Sequence, residues 1–79
     1  MTITETIKNV ASIYVTTMVN EYEVLVELTA EQALKAISAA NASDAVLNPQ
    51  NDNFYVNPEI RYSQVAWLDG ENDTLIIGQ

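Results

Sequence analysis

The chain has 79 residues, and eleven acidic side chains against three basic ones set a formal net charge of −8. It has no cysteine and no histidine, which excludes disulfides, thiolate nucleophiles, imidazole bases and nearly all zinc, copper and haem chemistry. An apolar fraction of 48% fits a folded chain rather than an acidic disordered tail, and the length predicts one small domain over residues 1–79.

Residues 2–9 carry Ile3 and Ile7, with Val10 following, at helical spacing, and read as one short helical turn or a lead-in strand. Val10 to Val19 is rich in β-branched residues whose two faces separate by alternation, so it reads as a strand. Asn20-Glu21 is the expected turn, since asparagine tolerates a positive φ. Tyr22 to Leu28 is a second strand, paired with the first as an antiparallel hairpin. Tyr22, Val24, Val26 and Leu28 are expected on its core face, and Glu21, Glu23, Leu25 and Glu27 on the other.

Thr29-Ala30-Glu31-Gln32 has the form of a capping box. It predicts a helix over Ala30 to Ala40, rich in alanine, with Ala33, Leu34, Ile37 and either Ala40 or Asn41 as its packing stripe. Ser43 to Leu47 reads as a second short helical turn. Asn48 to Pro58, with two prolines and several asparagines, reads as a long loop in which Phe54, Tyr55 and Val56 form a bit of strand or an apolar anchor. Glu59 to Leu68 is a third strand, Asp69 to Asp73 a polar turn, and Thr74 to Ile77 a fourth strand. The expected fold is α+β: a two-layer, four-stranded antiparallel sheet with one helix packed on a face, in the order β-β-α-β-β.

Little in the chain points to catalysis. A hydroxyl nucleophile needs a base, and neither Lys8 nor Lys35 lies in a nucleophile motif. The glycines are Gly70 and Gly78 alone, so no phosphate-cradling loop exists. Asp69, Glu71 and Asp73 stand at i, i+2 and i+4, a spacing that oxygen ligands of calcium use. The rest of a calcium loop is missing, and the segment reads as a solvated turn. The chain is therefore expected to be no enzyme and to use no cofactor or metal.

The charge points to binding instead. A net −8 repels nucleic acid and anionic lipid, which argues against direct DNA, RNA or membrane contact and for a protein partner with a basic surface. Glu21, Glu23 and Glu27 share one strand face, where alternate residues are about 6.6–6.8 Å apart, close to the phosphate spacing of a DNA strand. Glu59, Asp69, Glu71 and Asp73 extend the negative surface, and Trp67 is the aromatic side chain best placed to anchor a contact. The protein-binding residues expected are thus Glu21, Glu23, Glu27, Glu59, Trp67, Asp69, Glu71 and Asp73.

In size, acidity and absence of cysteine, the chain is similar to phage-encoded anti-defence proteins, including anti-CRISPR proteins. The likeness is one of composition and size, so it transfers no residue role. It implies an inhibitor that mimics nucleic acid or blocks the basic surface of a nucleic-acid-processing complex in the cytoplasm. The alternative is a homo-oligomeric phage structural or assembly protein, for which a homodimer would enlarge a core of marginal size.

Overall fold

The computed structural model describes residues 1–56 and 63–78. Helix α1 (Ile3–Asn9) opens on a complete capping box. The Thr2 hydroxyl accepts the Glu5 N–H at 3.2 Å, and the Thr2 N–H donates to the Glu5 carboxylate at 3.3 Å. Ile3 and Ile7, one turn apart, are buried; Ile3–Asn9 is helical and only the cap residue Thr2 is extended.

Strands β1 (Ser12–Val19) and β2 (Tyr22–Leu28) form the expected antiparallel hairpin, with Val19 opposite Tyr22. Both turn residues are left-handed, Asn20 at φ 49° and Glu21 at φ 71°. That geometry matches the right-handed twist of the two strands it joins.

Helix α2 (Ala30–Ala39) starts at the Thr29–Gln32 capping box read from the sequence. It ends in a Schellman motif: the Ala42 N–H donates to the Ile37 carbonyl at 2.8 Å, the Asn41 N–H to the Ser38 carbonyl at 3.1 Å, and Asn41 takes φ 55°. This ending corrects the packing stripe. Ala33 and Ile37 are buried and Leu34 half-buried as expected, but Ala40 and Asn41 are exposed, and the turn swings Ala42 into the core instead.

The second half of the chain departs further. Ser43 to Leu47 forms no helical turn; it leads into strand β3 (Val46–Asn48), which pairs with β4 (Asn53–Val56). Within the expected loop, Phe54, Tyr55 and Val56 form strand, one of their two expected forms, and a tight turn joins β3 to β4; Asn57 and Pro58 lie outside the described residues. Polar residues build that turn, with Asn48 Oδ1 accepting the Gln50 N–H at 2.9 Å and Asn51 Oδ1 accepting the Asn53 N–H at 3.1 Å. β5 (Ser63–Asp69) and β6 (Thr74–Ile77) follow. Glu59, Ile60, Arg61 and Tyr62, placed in the third strand by sequence, lie outside the described residues.

The sheet is mixed and six-stranded, in the order β2-β1-β6-β5-β4-β3. The expected four-stranded antiparallel sheet with one helix is thus corrected to six strands and two helices among the described residues, although the α+β class stands. The reason lies in α2. It carries the chain from β2 at one edge to β3 at the other, so the β3–β6 meander returns inward and brings β6 beside β1 in the same direction. Ser12, Ile13, Tyr14 and Val15 pair in parallel with Thr74, Leu75, Ile76 and Ile77.

Both helices cover one sheet face. The core there comprises Ile3 and Ile7 of α1, Ala33 and Ile37 of α2, and Ile13, Val15, Phe54, Ala66, Leu75 and Ile77 from the strands. The expected core face of β2 is corrected as well. Leu28 is half-buried, but Tyr22, Val24 and Val26 are 75%, 36% and 45% exposed. Alternation identifies a side of the strand; it does not say how far the covering helices reach, and the tip of the hairpin extends past them.

Candidate functional site

Among the described residues, the opposite sheet face carries no helix. The pairing registers place six residues in one row across it: Glu27, Tyr14, Ile76, Trp67, Asn53 and Asn48, from β2 to β3. Tyr14, Ile76 and Trp67 are half-buried side by side at its centre. Beside Asn53 on the same side of β4, the Tyr55 hydroxyl accepts from Asn51 Nδ2 at 2.9 Å. The registers also show a bulge: Phe54 pairs with Ala66 and Tyr55 with Gln64, so Val65 is the extra residue.

The carboxylates read from the sequence fall around this row. Glu23 and Glu27 stand on β2, opposite Met18 and Tyr14 of β1, and both are exposed. Asp69 lies one row down, opposite Thr74, which itself pairs with Ser12. Glu21 occupies the hairpin turn rather than the strand face, at φ 71°. Glu71 and Asp73 are exposed in the β5–β6 turn. The structure thus brings Glu23, Glu27, Trp67 and Asp69 to one face. It sets Glu21 at one end of that face and the Glu71–Asp73 turn at the other. Glu59 lies outside the described residues.

Asp69 is held by its own turn. Its Oδ2 accepts from Asn72 Nδ2 at 2.8 Å and its Oδ1 from the Asn72 N–H at 3.3 Å. The side-chain bond foremost, then the backbone bonds from Asn72 and Glu71, hold its carboxyl below the ordinary value. The Asp73 carbonyl accepts from the Ala11 and Ser12 N–H groups at 2.9 and 3.3 Å, tying this turn to the start of β1. Among the described residues, no group of three or more acidic side chains lies close enough to hold a metal ion.

Neighbouring strands sit about 4.8 Å apart, so Glu27 and Trp67, three strands apart, are separated by roughly 14 Å. That is the scale of a macromolecular contact. A shallow depression of about 300 Å³ opens past the end of β6, bordered by Thr16, Glu23, Gln64, Trp67 and Gly78, with Glu23 its titratable side chain. Sequence reading missed Tyr14 and Ile76 as partners of Trp67. Their signal, apolar residues on both faces of β1 and β6, shows central strands, but their neighbours follow only from the register.

No family model matches the chain, and no curated protein or solved structure matches it significantly. Among the described residues no helix is long and apolar enough to cross a membrane.

Proposed function

We propose that this chain is a non-enzymatic protein-binding inhibitor that lays its helix-free sheet face on a basic protein surface and blocks it. The observation that carries this reading is the cross-strand row. Tyr14, Ile76 and Trp67 form a half-buried apolar centre, and Glu23, Glu27 and Asp69 stand around it. Productive interfaces share that anatomy: aromatic anchors desolvated at the centre, with charges at the rim that steer the approach and fix register. A net charge of −8 strengthens the steering toward lysine- and arginine-rich surfaces. Surfaces that hold nucleic acid are of this kind, so a nucleic-acid-processing complex is the proposed class of target. The same class is met by the anti-defence proteins that the chain resembles in size and composition.

The reading is tested by affinity capture from cell lysate at low and high salt with three baits: the parent chain, Glu23→Lys with Glu27→Lys, and Trp67→Ala. A nucleic-acid-processing protein held by the parent, released by high salt and lost with both variants supports it. A partner held equally by all three baits overturns it. A stable oligomer of the parent in light scattering, with no partner captured, transfers support to the homo-oligomeric alternative, which draws on the exposed apolar residues of β2.

A further inference from the structure

The two edges of the sheet are treated differently. At the β3 edge the N-terminus closes the ladder: the Leu47 N–H donates to the Met1 carbonyl and the Ile3 N–H to the Ala45 carbonyl, each at 2.9 Å, and Thr2 bridges to Val46. At the other edge, β2 pairs with β1 alone among the described residues, leaving the outward-pointing half of its backbone N–H and C=O groups unpaired by the sheet. β2 is exposed at six of its seven positions, and Leu25 is 52% exposed. An edge this long, unbroken by a bulge and largely apolar is a template for another strand.

Charge decides which strand. A second copy paired antiparallel about Leu25 would set Glu23 directly opposite Glu27, twice. Pairing about Val24 would set Glu21 opposite Glu27. Pairing about Val26 would drop Tyr22 and Glu23 from the ladder and leave two Glu27 side chains diagonal across it. Like charges directly opposite destabilise a sheet, whereas opposite charges stabilise it. The glutamates therefore guard the edge against its own kind and favour a strand of the reverse charge.

We infer that β2 is a strand-addition site for an extended segment of a partner protein that carries lysine or arginine at positions i and i+4. Those cations fall opposite Glu23 and Glu27, about 13–14 Å apart along the strand. A residue that packs against Leu25 lies between them. The alternate residues of the segment are small or β-branched and cover Val24 and Val26 on the other face. The inference rests on the reading of the chain as an acidic protein-binding module and adds how the partner's backbone is held.

The test uses the full chain and a capped peptide, Thr-Lys-Val-Thr-Val-Lys-Thr, at millimolar concentration, followed by amide hydrogen exchange resolved residue by residue. Alternate amides of Tyr22–Leu28 are expected to become protected. A peptide with glutamate in place of both lysines should bind about tenfold more weakly or worse, because two cross-strand pairs change from attractive to repulsive. Glu23→Lys with Glu27→Lys should reverse that preference. N-methylating one alternating set of peptide nitrogens should abolish binding and N-methylating the other set should not, because only one set points into the ladder. Absence of β2 protection, or binding indifferent to both methylation patterns, overturns strand addition. In the second case, a lysine preference that survives leaves the acidic-module reading standing. Equal binding of the lysine and glutamate peptides overturns both. β2 amides already protected in a dimer of the free protein assign the edge to a second copy and overturn the inference.

Discussion

Glu21 holds a left-handed backbone, φ 71°, in a two-residue turn whose other member is the better suited Asn20. A side chain with a Cβ pays about 1–2 kcal/mol for that conformation, and glycine avoids it. Part of the gain returns as the greater freedom of glycine in the unfolded chain, so Glu21→Gly is expected to stabilise by about 0.5–1 kcal/mol. Denaturant unfolding should show a higher midpoint at an unchanged slope. A lower midpoint would mean that the Glu21 side chain contributes more than its backbone strain removes. Asp69 and Glu5 supply a pH signature. Hydrogen bonds from Asn72 lower the Asp69 carboxyl, and those from Thr2 lower the Glu5 carboxyl. A carboxyl lowered by folding stabilises the protein above its unfolded value, and that contribution is lost as pH falls through the lowered folded value. Asn72→Ala is expected to raise the Asp69 pKa in an NMR titration. The stability gap between parent and variant should close as the pH drops below the carboxylate range. An unmoved Asp69 titration would show that the Asn72 amide does not set it.

At the scale of elements, the hairpin, the α2 start and the last strand were legible because each is announced locally. Alternation marks β1 and β2, the Thr29–Gln32 box opens α2, and Thr74–Ile77 follows a polar turn. α1 was legible in principle, since Thr2-Ile3-Thr4-Glu5 has capping-box form. β3 and β4 were not. Three and four residues are too few for a periodic signal, and prolines and asparagines around them favour loop. These short strands persist because of what they bury. Phe54 on β4 has no exposed surface and heads the fully buried side chains. Phe54→Ala is expected to cost about 3–5 kcal/mol. Against a total of about 4–12 kcal/mol for a chain this size, most or all of the stability would be lost. A thermal melt is sufficient to measure it. A loss under about 1 kcal/mol would make Phe54 a loop anchor rather than a core residue.

Over the whole molecule, charge opposes compactness. The ion pair seen among the described residues, Lys35 to Glu31 at 3.6 Å, is largely exposed and one helical turn apart, so it contributes only about 0.3–0.5 kcal/mol. Eleven acidic side chains against three basic ones leave the folded state repelling itself. Raising sodium chloride from about 0.01 to 0.15 M shortens the Debye length from about 30 to 8 Å, and the melting temperature is expected to climb across that range. A flat or falling melting temperature would place the carboxylates too far apart to repel. The accessible surface of 5347 Å² exceeds the roughly 4,700 Å² expected of an 8.7 kDa monomer, and the exposed β2 contributes to that excess.

Composition and short-range pattern alone carry the α+β class, the acidity, the absence of thiol and imidazole chemistry, and the elements whose signals span a few neighbouring residues. Those properties belong to composition or to contacts along one stretch of chain. Long-range packing sets the parallel pairing of β1 with β6, the row that Trp67 shares with Tyr14 and Ile76, and the place of β2 at an edge that no other described strand covers. Each of these joins residues distant in sequence, or depends on how far a helix reaches over the sheet. No local periodicity encodes that reach, because alternation fixes which side of a strand is apolar and leaves open what lies against it.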